Sequence, residues 1–280
     1  MIMKTTYNIL MAGLLSVLAF TSCEGFLDKF PETALSPETF YTNEKELTLA
    51  TNGFYAMLPK PDDSFDGALQ DNDLQFHLSL SSIQRGTRQA ETETWSASTW
   101  SDLRSINYYL EHSVKCTNED VRKKYDGIAY FFRAVFYYEK VRKYGDIPFY
   151  DHVISDSDKE SLYRPRDSRG FVMQKIMEDL DRAIDGLPVS WSEGVYRINK
   201  YAAYALKSRI ALFEGTWRKY HDIADESYTK EDGTTITLSS AYFLQLAADA
   251  AKAVMESGKY RICLLYTSPR PRDGATSRMP

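Results

Sequence analysis

Cysteine is scarce in this chain, with Cys23, Cys116 and Cys263 the only three, and none has a C-x-x-C partner or a histidine-rich neighbourhood. So few thiols supply neither a disulfide framework nor a zinc site. The four histidines, His77, His112, His152 and His221, stand far apart without an H-E-x-x-H run, so each reads as a surface or internally satisfied side chain. G-x-S-x-G, P-loop and G-x-G-x-x-G patterns are missing too. Acidic residues such as Glu178, Asp179 and Asp181 are expected on the solvent face of a helix, and abundance alone does not make a glycosidase pair. The sequence asks for no enzyme, no cofactor and no metal. Nor is there a positive surplus: the formal charge is −5, which argues against binding nucleic acid or anionic lipid.

A long apolar run is also lacking. The uncharged stretch from Ile9 to Phe20 is about a dozen residues, whereas a bilayer-spanning helix needs roughly 20. Lys4 precedes it, and the small residues Thr21 and Ser22 follow, which is the layout of a secretory leader over residues 1–22. Cys23 stands directly after those small residues, where a bacterial lipoprotein signal carries its acylated cysteine; Phe20 departs mildly from the usual aliphatic. Acyl chains contribute about 0.8 kcal/mol per buried methylene and hold a protein on a membrane without a spanning helix.

The other end, "CLLYTSPRPRDGATSRMP" from Cys263 to Pro280, has no helical or strand period. It resembles translated sequencing-adapter read-through and is set aside as a non-native tail, so that residues 23–262 are expected to be the genuine mature chain, cut short on its C-terminal side. The tail carries three arginines and one aspartate and the leader one lysine, so removing both moves the formal charge from −5 to −8. Tyrosine is abundant at 20 residues, and many are expected on surfaces.

Between these ends the chain reads as helical. Ser36 and Pro37 open one helix; Leu47, Ala50, Phe54 and Met57 mark a second, ended by Pro59 and Pro61. Residues 68–99 show no clear period. Ser101 is expected to cap a helix carrying Leu103, Ile106 and Leu110. Asn118 to Tyr144 holds two apolar stripes, as a helix packed between neighbours does, and Gly145 stops it. Further helices are expected over 167–187, over about 199–217 with Ala202, Ala205, Leu206, Arg209, Leu212 and Phe213 on one face, and over 241–257 capped by Ser239 or Ser240. Successive helix pairs with small contact residues resemble tetratricopeptide units, although no clean 34-residue repeat occurs, so the expected fold is a mostly α, irregular α-solenoid.

The candidate binding chemistry is aromatic and basic. "SIQRGTRQAETETWSASTW", Ser82 to Trp100, places Arg85, Arg88, Trp95 and Trp100 together. Flat rings stack on the apolar faces of sugars while guanidinium forks engage hydroxyls. Trp100 leads Leu103 and Ile106 at three-residue spacing and is expected in the core; Trp95 has no such partners and, with Arg85 and Arg88, is the candidate ligand contact.

Five ordered blocks carry a family resemblance: "CEGFLDKFPETALSPETFYTNEKELTLATNGFYAML", "RAVFYYEKVRKYGDIPFYD", "YRPRDSRGFVMQKIMEDLDRAIDGLP", "INKYAAYALKSRIALFEGTW" and "AADAAKAVMESGKYRI". The chain resembles the SusD/RagB family of Bacteroidetes outer-membrane nutrient-binding lipoproteins over Cys23 to Ile262. The resemblance implies a helical fold with tetratricopeptide-like pairs, a lipid anchor, exposure on the cell surface, and a place over a SusC-like TonB-dependent transporter, with a glycan as the usual ligand. A peptide-binding relative and a helical scaffold without small ligand stay open as alternatives. Arg133, Tyr137, Tyr144, Gly145, Asp146, Pro148 and Arg209 read as scaffold, with Arg133 and Arg209 expected to satisfy carboxylates or helix-end carbonyls.

Cys23 is expected to be acylated. Metabolic labelling with a palmitate analogue should mark the native chain and not Cys23→Ala; equal labelling of both would exclude a lipid anchor there.

Overall fold

Short polar side chains open most of the helices. In the computed structural model, which describes residues 40–58, 80, 82, 84–87, 97–192 and 194–261, Asn43 accepts a hydrogen bond from the Glu46 amide and starts α1, Glu44–Asn52. Asn118 does the same for α3, Glu119–Tyr144, through the Val121 amide, and Ser168 for α5, Arg169–Gly186, through Phe171. Asn199 caps α6, Lys200–Tyr220, and Ser239 caps α7, Ser240–Glu256. Each such cap stabilises its helix by about 1 kcal/mol. The exception is α2, Ser101–His112: Ser101 is its first helical residue, and Trp100 occupies the cap position without a side-chain cap bond. A single-turn helix, α4, Lys159–Leu162, lies between α3 and α5. A 3-10 turn over Gly53–Met57 extends α1. The leader, Cys23, the Ser36–Pro37 helix start, Pro59, Pro61, Arg88, Trp95 and the tail lie outside the described residues.

The described chain is mostly helical, and the helices pack in chain order: α1 and α2 on α3, α3 on α5, α5 on α6, and α6 on α7. All of these lie in the unit that begins at Tyr41. Two glycines set the α3–α5 spacing. A Cβ on Gly127 would meet Leu187 at 3.0 Å, and one on Gly186 would run into the Lys123 carbonyl, so the two backbones touch where neither carries a side chain. Gly145 then ends α3 with φ +75°, a conformation that L side chains resist. Both stripes expected on α3 are used, with Tyr125, Ile128 and Phe132 buried on one side and Ala134, Tyr137 and Val141 on another. Tyrosines divide between core and surface: Tyr109, Tyr125 and Tyr137 are fully buried, while Tyr163, Tyr196 and Tyr220 are exposed. No described helix is long and apolar enough to cross a membrane.

Three features depart from the sequence reading. The inward face of α6 is rotated from the expected one: Ala205, Arg209 and Leu212 face solvent, and Ala203, Ile210 and Ala211 turn inward beside Lys207, Glu214 and Arg218. Asp179, expected in solvent, is 1% exposed and paired with Arg133. A hairpin that the helical reading omitted, β1 Glu226–Thr229 and β2 Thr235–Leu238, pairs antiparallel across a turn with Asp232 and Gly233 at φ +84°. Its signal was the Asp-Gly pair followed by alternating Thr and Ile. The inward charges explain the rotation of α6. Arg218 donates to Glu214 (2.9 Å), to Glu226 of β1 (2.8 Å) and to the Leu238 carbonyl of β2 (2.8 Å), and Arg169 donates to the other oxygen of Glu214 (2.9 Å). Hydropathy counts each of these groups as outward-facing.

Asp126 on α3 titrates abnormally. Burial pushes its carboxyl up to about 6, while the Ser113 and Tyr109 hydroxyls and the Arg122 charge pull the other way. A raised folded value means that the folded chain binds the proton more tightly. The resulting stabilisation is complete below about pH 4 and lost as pH rises through about 6. Asp126→Asn is therefore expected to raise stability at pH 7.5 by on the order of 2 kcal/mol and to change it little at pH 4. Urea melts at the two pH values check this; an equal change at both would show that the carboxyl does not titrate on unfolding.

Candidate functional site

Beyond Gly145 the chain runs irregularly over residues 147–154, with one antiparallel bridge, Ile147 to Asp167, at its start. Backbone groups taken from water need partners, and here side chains supply most of them. The Tyr137 hydroxyl accepts from the Tyr150 amide (2.6 Å) and donates to the Tyr150 carbonyl (3.0 Å). Asn107 of α2 donates to the carbonyls of Tyr150 and His152, both at 3.0 Å. Asp167 accepts from the Phe149 amide (2.7 Å), Glu111 from the Val153 amide (2.6 Å), and Arg104 donates to the Ile154 carbonyl (2.9 Å).

Behind Asn107 stands Arg133. Its guanidinium donates to the Asn107 side-chain oxygen (3.2 Å) and, in a two-pronged pair, to Asp179 (2.7 and 2.6 Å). Burial works against the charge on Arg133, but the attraction and hydrogen bonds of Asp179 outweigh it and hold the proton more firmly than usual. The expectation that Arg133 satisfies a carboxylate holds. Arg209, by contrast, is exposed on α6.

This strip forms one wall of a cleft of about 680 Å³. That volume lies within the roughly 300–1,000 Å³ typical of small-ligand sites. Trp100, Leu103 and Arg104 line the side toward α2, Tyr150 and His152 the strip side, and Leu162, Arg164 and Arg166 the segment from α4 onward. Trp100 is half-buried, edge-on to Phe136 (5.5 Å between ring centres) and Tyr150 (6.1 Å). It is thus a wall of the cleft as well as a packing residue, as is the largely buried Leu103, whereas Ile106 is fully in the core. The Lys140 ammonium lies 5.5 Å from the centre of the Trp100 ring; burial, reinforced by the like charge of Lys143, holds it below the ordinary lysine value.

Of the sequence candidates, Arg85 is exposed and does not line the cleft, and Arg88, Trp95 and Cys23 lie outside the described residues. Arg104, Asn107, Tyr150, His152, Arg164 and Arg166 escaped sequence reasoning as site residues. Tyr150, Arg164 and Arg166 fall within two of the ordered blocks and His152 directly follows one, whereas Arg104 and Asn107 lie on α2 outside every block and carry no such signal.

Fold and cleft together define a mostly helical protein in which an irregular strip forms one wall of an open cleft that carries Trp100 and Tyr150. The chain belongs to the SusD-like family described as starch-binding and associating with the outer membrane, which matches residues 25–212. SusD-like protein P25 of Formosa agariphila is 25% identical over 221 residues, covering 70% of this chain and 41% of its own. SusD-like protein P2 of the same organism is 27% identical over 221 residues, covering 72% and 42%. The chain therefore spans about two fifths of the length of these curated relatives. Among solved structures, a SusD-like protein from Bacteroides fragilis superposes with a TM-score of 0.62 at 22% identity over 84% of this chain and 42% of that one. A SusD homologue from Bacteroides thetaiotaomicron gives 0.57 at 20% identity over 83% and 44%. These likenesses establish the fold.

Asn107→Ala removes the donor to two strip carbonyls and the acceptor for Arg133. It is expected to cost about 2 kcal/mol, within the range for stranded buried polar groups, and to speed hydrogen exchange at the Tyr150 amide. Loss of global stability with unaltered exchange at Tyr150 would show that the strip does not depend on Asn107.

Proposed function

We propose that this protein is a surface-exposed outer-membrane lipoprotein that captures oligosaccharide and delivers it to a SusC-like TonB-dependent transporter. In this reading residues 1–22 are the leader, 23–262 the SusD-like helical domain, anchored through Cys23, and 263–280 a non-native tail. The observation that carries the binding role is the cleft itself. The Trp100 and Tyr150 rings offer flat apolar surface to the carbon faces of a sugar, and Arg104, Arg164 and Arg166 set donors beside them. Membership of a family described as starch-binding supports the same ligand class. No step of bond making or breaking is assigned: the cleft binds, and the transporter accepts what it holds.

Trp95, with Arg85 and Arg88, is proposed to extend this surface. In isothermal titration against a glycan panel, Trp95→Ala is expected to lose about 1–3 kcal/mol of affinity, as truncated ring contacts do, with an unchanged helical circular-dichroism signal. Unchanged affinity would return Trp95 to a structural role. A chain that binds peptides and no glycan would be a peptide-binding relative, and one that binds neither a helical scaffold.

A further inference from the structure

The protein is acidic overall, yet its cleft is not. Among the described residues its lining includes Arg104, Arg164, Arg166 and His152 and no aspartate or glutamate. Two of those four basic groups are balanced locally: Arg164 holds Asp167 through a fork at 2.7 and 3.0 Å, and His152 pairs with Asp151 at 2.9 Å. The other two are not. Arg104 gives one N–H to the Ile154 carbonyl, a neutral partner, and Arg166 is exposed and makes no ion pair among the described residues. Glu111, the carboxylate behind the strip, is engaged by the Val153 amide.

This donor set is one-sided. A neutral sugar presents hydroxyls that both give and accept, and a site built for it does best with carboxylate acceptors among its donors. Here the side chains at the wall chiefly donate, and two guanidinium charges have no ion-pair partner among the described residues. Guanidinium forks match carboxylate and sulfate oxygens in pairs, and such charge-assisted bonds are roughly twice as strong as neutral ones. A cationic cleft in an anionic protein also draws anionic ligands toward itself.

We propose that the cleft selects an acidic glycan, one whose sugars carry carboxylate or sulfate groups, with Arg104 and Arg166 reading the charge and Trp100 and Tyr150 the ring faces. The inference rests on the glycan-binding reading and narrows it.

Isothermal titration of the full chain with four hexasaccharides tests it: hexagalacturonate, its fully methyl-esterified form, a sulfated galactose hexamer, and maltohexaose. At least one acidic probe is expected to bind about tenfold or more tightly than the ester and maltohexaose, a difference of about 1.4 kcal/mol, and to weaken as salt is raised. Which acidic probe binds tells carboxylate from sulfate. Arg166→Gln, at an exposed position, should remove most of that preference without moving the thermal melt, and Arg104→Gln should act in the same direction. Equal affinity for the ester and its parent acid would overturn the inference while leaving glycan capture standing. Failure of all four sugars would overturn both. Hexaglutamate bound as tightly as the acidic sugars would show that the cleft takes acidic peptide, and the inference would fall with the glycan reading.

Discussion

The buried pair of Arg133 and Asp179 is the constraint from which the rest of the site follows. Both side chains are almost wholly out of water, and removing either partner of such a pair leaves an uncompensated charge at a cost of about 3–5 kcal/mol. Packing alone would hold α3 against α5 through the glycine contact. What the ion pair adds is direction. It fixes the guanidinium so that a third nitrogen points at Asn107, and Asn107 in turn has its amide aimed at the strip. Four elements distant in sequence are thereby set in one arrangement.

A second charged network does comparable work at the far side of α5. Arg218, Glu214, Arg169 and Glu226 join α6, the start of α5 and the hairpin, and they bury carboxylates and guanidinium groups together rather than singly. Replacing such groups by apolar ones of similar shape can be neutral for stability. Their role here is better seen as specifying which face of α6 turns inward. An all-apolar α6 could settle in either of two rotations, and the charges leave one.

Much of the helical architecture was legible in the sequence because the signals are local. Asn118, Ser239 and Gly145 act within a turn of where they stand, and apolar spacing marks the stripes of α3 without reference to anything else. The misplaced charges share one cause. Asp179, Lys207 and Glu214 are inward because each has a partner tens of residues away, and periodicity of hydropathy has no access to pairs. The cleft was harder still. The three-residue spacing of Trp100 to Leu103 and Ile106 points to the core, yet the ring serves both core and cleft. The strip from Ile147 to Ile154 has no period, so only the overlap of its first residues with an ordered block ending at Asp151 points to it.

The way the strip is held has a bearing on how this site could change. Nearly every bond that fixes it ends on main-chain atoms: the amides of Phe149, Tyr150 and Val153 and the carbonyls of Tyr150, His152 and Ile154. The side chains of His152 and Val153 are therefore released from the task of keeping the wall in place. Exchanging them alters what the wall displays and leaves its path intact. In that respect the strip resembles the loops of an antibody more than the core of an enzyme: a fixed mounting on which recognition can be rewritten one residue at a time, while the helices behind it need not move.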